Sequence, residues 1–442
     1  MQIEKASIWN KKALLYLKFS SILLMQKLII KGKKKLSGSI SISGSKNATL
    51  PILAATLLAE KVITLKNIPL VQDVYTMIKL LKFIGLNIEI SKKLKTLKIS
   101  SKKELKTTAP YNLLKTMRAG VLVLGPLLAK YKKAKVSLPG GCAIGARPVN
   151  LHLFALEKLG AKIKIKNGYI HASAKNGLKG GIIKFPSISV GATENAILAS
   201  VSAKGKTIIS NCATEPEIQD MISFLKKIGC NISFIGKRKI LIIGTKDFKS
   251  TSHEIIFDRI ELGTYLIAAA LIGKKIILFK IKPKIIKTEL KLLKRMGIKM
   301  KIDKNKITVF ESGKINSVNI KTEPYPGFPT DLQAQIMVLM LRASGKSKIT
   351  ENIFENRFMH VPELRRMGAK ISIKKNIAFV VGPTNLSGAE VMATDLRASV
   401  SLVLAALTAE NTTIINRVYH LDRGYENLET KLKKCKANIK RV

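Results

Sequence analysis

The stretch PGGCAIGARP, residues 139 to 148, sets Cys142 among Gly140, Gly141 and Gly145, five residues before Arg147. A thiol on a glycine-rich loop has the setting of a functional side chain rather than a packed one. Its ordinary pKa of about 8.5 keeps it mostly protonated at neutral pH, as a proton donor requires. The charge of Arg147 favours the thiolate, and so a nucleophile; both roles stay open. Cys212, Cys230 and Cys435 are expected to be small buried hydrophobes, the usual state of a free cysteine. The four cysteines contain no CxxC pair and the five histidines no HxH or HExxH. Neither a metal site nor a disulfide framework is expected, a reducing cytoplasm fits, and the histidines read as hydrogen-bonded fold residues.

Such residues need a scaffold, and the chain repeats one. An apolar helix end, a glycine and an alternating strand follow one another in LLKFIGLNIEI (80–90), ALEKLGAKIKI (155–165) and FLKKIGCNISF (224–234). The pattern returns in LLKRMGIKMKI (292–302), ELRRMGAKISI (363–373) and KLKKCKANIKRV (431–442). The closing positions Gly85, Gly160, Gly229, Gly297, Gly368 and Lys436 recur 68 to 75 residues apart. In the second copy Leu151, Phe154, Ala155 and Leu159 sit at helical spacing. Gly160 can take the left-handed conformation that ends a helix, and Lys162 to Ile165 alternate as a half-buried strand does. A side chain in that conformation costs about 1 kcal/mol, so the copy with Lys436 is expected to close differently.

Each copy holds a second, far more apolar helix: 48–59, 118–129, 191–203, 261–273, 331–343 and 395–407. A helix apolar nearly all round must be buried on most sides. Three copies sharing a core give an α/β protein of two globular domains. Lys46 with Asn47, Arg118, Ser189 with Gly191, Arg259 with Glu261, Asp331, and Asp395 with Arg397 fall at or near the starts of these helices. Parallel buried helices would present their N-terminal dipoles, which attract anions, on one face of each domain. Two such faces opposed would suit a doubly anionic substrate.

From about Met25 to Val442 the chain resembles the enolpyruvyl transferases, specifically those acting on UDP-N-acetylglucosamine. The matching stretches include SGSKNATLPILAA (43–55), TMRAG (116–120), LPGGCAIGARPVNLH (138–152), SVGAT (189–193) and EPEIQD (215–220). DRIELGT (258–264), FPTDLQAQ (328–335), FENRFMHVPELRRMGA (354–369), MATDLRAS (392–399) and YHLDRGYE (419–426) continue them. The resemblance implies two inside-out α/β barrels of three repeats each, with domains at 46–256 and at 25–45 plus 257–442. It implies transfer of the enolpyruvyl group of phosphoenolpyruvate to the 3′-hydroxyl of the sugar nucleotide. Phosphate leaves by C–O cleavage, without metal or organic cofactor.

The resemblance also implies roles. Cys142 matches the proton donor to phosphoenolpyruvate, a residue that can add to it covalently and that fosfomycin alkylates; some relatives carry Asp there. Lys46, Asn47, Arg147 and Arg423 match the holders of phosphate and carboxylate, for which arginine's forked donors are suited. Arg423 could instead pair with Asp422 or Glu426, and Lys46 could be one more surface lysine. Asp331 matches the base on the acceptor hydroxyl, although Thr330 and Gln333 alone read as a capping box with an acid in the first turn. Asp395 and Arg397 match active-site supports, or form a plain ion pair. For the sugar nucleotide the matches are Arg118, Arg147, Pro148, Val149, Asn150, Leu151, Ser187, Ile188, Ser189, Val190, Asp331 and Ile353. Asn150 stands where many relatives have Asp and Ser187 where some have Lys, which points to partly backbone-mediated contacts. Ile353 could equally be packing.

The chain carries 78 basic and 28 acidic residues, a net charge of +50. Its lysines are spread over every segment and alternate along strands, as in KIKIKNG, without aromatic interleaving. That is a solvated surface rather than a nucleic-acid patch, and no apolar run approaches the roughly 18 residues of a membrane span. Residues 1–24 read as an N-terminal extension of unknown role, with Met25 an equally good start. Two other readings remain: the related transferase acting on shikimate 3-phosphate, which as a family lacks the PGGC loop, and an inactive polyanion-binding relative. Protein partners are not legible.

Overall fold

The computed structural model describes residues 26–101, 104–140 and 149–442. Its strands form six separate four-stranded mixed sheets, and among the described residues none closes into a hydrogen-bonded barrel. In the second copy a short edge strand, Thr108–Ala109, runs parallel to Lys133–Ser137. That strand pairs antiparallel with Tyr169–Ser173, which pairs in turn with Lys162–Lys166 in the register Lys164↔His171. The other sheets repeat this order. Lys162–Lys166 is more exposed than its alternation predicts: Ile163 is half-buried and Ile165 is 58% exposed. The strand lies at the sheet's outer edge, and its lysines oppose further strand pairing.

The sixth copy is completed from the other end of the chain. Leu28–Lys31 lies between Thr412–Asn416 and Asn438–Arg441, antiparallel to both, where the other copies use the second strand of a hairpin. Leu36–Ser41 then forms the parallel edge strand beside Gly273–Phe279. The helix end of the sixth copy, however, does not close differently. Lys436 takes φ +69°, in the left-handed region with Gly85, Gly160, Gly229, Gly297 and Gly368. Backbone bonds from Lys436 to the Lys433 carbonyl and from Ala437 to the Leu432 carbonyl close it, so the repeat geometry outweighs the strain. Lys436→Gly is accordingly expected to stabilise the protein by about 1 kcal/mol, read as a higher urea midpoint with unchanged slope.

Close contacts divide the chain into two units. The first comprises Ile42–Arg259 with Glu323–Pro329; the second comprises the chain through Ser41, Ile260–Thr322 and Thr330–Val442. In the first unit the helices Lys46–Ala55 and Val190–Ser200, and the 3-10 turn Arg118–Val123 leading into Leu124–Tyr131, form the buried core. Leu58, Ala129 and Ser202, just beyond or within the C-terminal ends of these helices, line one cavity of about 600 Å³. The C-terminal ends of the three helices therefore meet at one place. In the second unit the buried helices are Arg259–Ile272, Gln333–Met340 and Ala398–Thr408. Among the described residues no helix is long and apolar enough to cross a membrane.

Candidate active site

In the first unit Ser45 caps the helix that starts at Lys46, its hydroxyl accepting from the Ala48 amide at 3.3 Å. Lys46 is not a surface lysine: it is 7% exposed, and its ammonium lies 3.3 Å from Asp73 Oδ2 in the first turn of Gln72–Ile84. The Lys46 amide donates to Asp258 Oδ2 at 3.2 Å. Half-buried Asn47 follows in the same turn, and this helix packs against the turn that half-buried Arg118 opens.

Of the candidates for the sugar nucleotide, Arg118, residues 149–151 and residues 187–190 lie in this same unit. Ser189 caps Val190–Ser200, accepting from the Ala192 amide, while Ser187 and Val190 are exposed and Ile188 is half-buried. Asn150–Lys158 packs against that helix. His152 fits so closely at Gly191 that a Cβ there would lie 3.1 Å from the imidazole. The His152 ring also meets Asn195 at 3.2 Å, and Asn195 is bound to Gly125 and Val121. Buried Val149, exposed Asn150 and half-buried Leu151 thus adjoin the start of Val190–Ser200, whose flank meets the Arg118 turn. Cys142, Arg147 and Pro148 fall on 141–148, outside the described residues. The residue before that stretch, Gly140, is pressed on the main chain: a Cβ there would meet the Lys115 carbonyl oxygen at 2.3 Å.

Acidic groups fill the interior nearby. Glu217 accepts from Arg259 Nε at 2.9 Å, yet burial holds its carboxyl above the ordinary range. Burial, then Glu217 and Glu215, push Glu194 well above it. Cys212, Cys230 and Cys435 are buried as expected, and burial raises their thiols to about 11, 12 and 11. Such thiols are poor nucleophiles at neutral pH.

In the second unit Asp331 holds the centre. Its side chain is 27% exposed, Oδ1 accepts from Arg357 Nη2 at 2.8 Å, and Oδ2 lies 3.5 Å from Arg397 Nε. Two neighbouring guanidiniums favour the ionised carboxylate, the form that accepts a proton. The capping box does not form. Thr330 donates instead to Glu351 Oε2 at 2.9 Å, and the buried Gln333 amide has no hydrogen-bond partner among the described residues. The hydroxyl proton goes to a charged acceptor, and Thr330 lies inside the 3-10 turn Thr330–Leu332 rather than at a cap position before it. Glu351 is 3% exposed and also accepts from Thr322 and from the amides of Ile353 and Phe354. This one carboxylate fixes both the turn carrying Asp331 and the segment carrying Ile353 and Arg357.

Asp395 and Arg397 do not simply pair with each other. Asp395 Oδ1 accepts from the amides of Arg397 and Ala398 at 2.8 and 2.9 Å, while the Arg397 guanidinium reaches Asp331. Arg423, half-buried, follows the short helix Tyr419–Asp422, and the Asp422 carboxylate is engaged by Arg441 at 2.7 and 2.9 Å.

Sequence reasoning missed Asp73, Glu351 and Arg357. Only the places of Arg357 in, and Glu351 beside, the matched stretch 354–369 could have flagged them; Asp73 lies outside every matched stretch. It also misread His360. That ring is fully buried, neither nitrogen has a hydrogen-bond partner among the described residues, and its pKa falls to about 4. Burial is the main cause and the Arg357 charge adds to it, against opposing effects of Asp395 and of a weak approach to the Arg357 main chain that falls short of a hydrogen bond. A depressed histidine gives stability that is complete above about pH 6.5 and is lost as pH falls toward 4. At pH 5 the loss should be of order 2 kcal/mol. His360→Gln should lose correspondingly less between pH 7.5 and 5 in urea unfolding; an equal loss would remove His360 from the account.

The family model described as EPSP synthase (3-phosphoshikimate 1-carboxyvinyltransferase) matches residues 30–432. The UDP-N-acetylglucosamine 1-carboxyvinyltransferase of Pelagibacter ubique (strain HTCC1062) is 60% identical over 418 residues, which are 95% of this chain and 100% of that protein. The protein of the same name from Rickettsia prowazekii (strain Madrid E) is 53% identical over 420 residues, again 95% and 100%. Among solved structures, the enolpyruvyl transferase NikO from Streptomyces tendae superposes with a TM-score of 0.84 at 23% identity, covering 95% of this chain and 99% of that one. EPSP synthase from Acinetobacter baumannii superposes at 0.74 with 17% identity, covering 95% and 100%. With a family match across nearly the whole chain and full-length relatives at this identity, the chain belongs to the enolpyruvyl transferases of the EPSP synthase family, on the branch of the UDP-N-acetylglucosamine 1-carboxyvinyltransferases.

Proposed function

We propose that the protein transfers the enolpyruvyl group of phosphoenolpyruvate to the 3′-hydroxyl of UDP-N-acetylglucosamine, releasing phosphate and feeding peptidoglycan precursor synthesis. In the addition step Asp331 takes the hydroxyl proton as the oxygen bonds to C2 of phosphoenolpyruvate, and the alkene carbon C3 gains a proton from Cys142. In the elimination step C3 gives a proton back to the Cys142 thiolate and the C2–O bond to phosphate breaks, the proton held by Asp331 leaving with the phosphate, which restores the alkene and both groups. Lys46, Asn47, Arg147 and Arg423 hold the carboxylate and phosphate. Arg118, residues 147–151, residues 187–190 and Ile353 receive the sugar nucleotide, and Asp395 and Arg397 support the base. No cofactor enters this scheme.

The observation that carries the reading is the Asp331 carboxylate, part exposed and set between Arg357 at 2.8 Å and Arg397 at 3.5 Å. A position for a general base is of this kind: ionised, fixed and open to a ligand. The free, buried state of Cys212, Cys230 and Cys435 supports a reducing cytoplasm. The test is mass spectrometry of the nucleotide after incubation with phosphoenolpyruvate. UDP-N-acetylglucosamine should gain one enolpyruvyl group, and shikimate 3-phosphate should not. Modification of shikimate 3-phosphate instead would establish the sister activity, and modification of neither would leave a binding protein.

A further inference from the structure

Behind Asp331 lies a buried group that the proposed chemistry does not use. Tyr425 is 2% exposed, its hydroxyl oxygen 3.0 Å from Thr264 Oγ1 and 3.2 Å from Gln335 Nε2. Gln335 Nε2 also donates to the backbone carbonyl of Asp331 at 2.9 Å, with Thr264 Oγ1 at 3.3 Å. The proton directions follow from the donor inventory. Thr264 gives its single proton to the Ile260 carbonyl at 2.9 Å, so Tyr425 donates to Thr264. The Tyr425 oxygen then accepts one Gln335 proton, and the other goes to the Asp331 carbonyl. The face of the same ring carries the Arg397 guanidinium, 5.3 Å from its centroid. Arg397 is itself 3% exposed and lies against Asp331 Oδ2.

Both the main chain of Asp331 and one of the cations beside its carboxylate therefore lead back to Tyr425. Thr264, Gln335 and Arg397 come from or adjoin the three buried helices of the second unit, so this residue ties all three together. We propose that Tyr425 is a positioning residue for the base: its hydroxyl, through Gln335, fixes the Asp331 backbone, and its ring seats Arg397 against the Asp331 carboxylate. The proposal rests on the reading of Asp331 as the base. The two halves are separable, because phenylalanine keeps the ring and loses the hydroxyl, whereas leucine loses both.

Steady-state phosphate release from phosphoenolpyruvate and UDP-N-acetylglucosamine, measured across pH, tests it. Tyr425→Phe should lower kcat about tenfold, the scale of one hydrogen bond when its loss is felt in the transition state, with KM for phosphoenolpyruvate and the acid limb of the pH profile unmoved. Gln335→Met should do the same, and the double variant should be no worse than either single one. Tyr425→Leu should in addition move the acid limb upward by about one pH unit as Arg397 loses its seat. A general packing defect would lower kcat without moving that limb. An unchanged kcat in folded Tyr425→Phe, or additive losses in the double variant, would overturn the hydroxyl's role. An unmoved limb in Tyr425→Leu would overturn the ring's. Should the leucine variant not fold, Tyr425→Phe and Gln335→Met still decide the first half, and Tyr425→Met, which fills more of the volume without an aromatic face, decides the second: a raised limb supports the ring's role and an unmoved one overturns it. A wild-type protein that releases no phosphate would sink the proposed function and this inference together, whereas an active wild type with indifferent variants sinks this inference alone.

Discussion

Cys142→Asp should keep turning over, whereas Cys142→Ala should lose about 10²- to 10⁴-fold in kcat, the range that general acid catalysis contributes. A carboxyl with a raised pKa can still deliver a proton to the alkene carbon; a methyl group cannot. The two variants should agree on one point: neither should be inactivated by the epoxide phosphonate fosfomycin, because the soft nucleophile is gone from both. Arg147→Ala should keep the thiol but weaken phosphoenolpyruvate binding and slow alkylation, since the anion loses a forked donor. The assay is phosphate release with and without prior exposure to inhibitor. Full activity in Cys142→Ala would make the thiol a passenger on its glycine loop.

The second large effect is expected at Asp331. Asp331→Asn keeps the shape and can still accept from Arg357, yet it cannot take a proton. kcat should fall by about 10²- to 10⁴-fold with little change in KM for phosphoenolpyruvate. Arg357→Ala should cost less in kcat and move the acid limb of the pH profile upward, because one of the two cations that favour the ionised carboxylate is removed. A rise in KM alone for Asp331→Asn would assign the residue to binding rather than to proton transfer.

The repeats were readable because their determinants are local. A glycine that ends a helix and an alternating strand after it announce themselves within a dozen residues, and buried helices are apolar on every side. What stayed hidden depends on distant parts of the chain. Nothing near Leu28–Lys31 says that it completes the sheet of Thr412–Asn416. Lys436 could be recognised as strained only by comparison with the other five copies, and the strain proved tolerable. The same division runs through the site. Asp331, Lys46 and Asp395 were found from matched stretches, but the partners that set their chemistry are 26 to 27 residues away in Arg357 and Asp73, or were local and misassigned, as with Thr330. Tyr425 lay in a matched stretch, YHLDRGYE, yet its use is decided by Thr264 and Gln335, far off in sequence.

The central claim is that this chain breaks the C–O bond of phosphoenolpyruvate in favour of a sugar nucleotide. Phosphoenolpyruvate labelled with ¹⁸O at the bridging oxygen, incubated with the protein and each acceptor in turn, tests it most directly. The account predicts ¹⁸O-labelled phosphate with UDP-N-acetylglucosamine and none with shikimate 3-phosphate. Unlabelled phosphate, which means P–O cleavage, or labelled phosphate only with shikimate 3-phosphate, would contradict it.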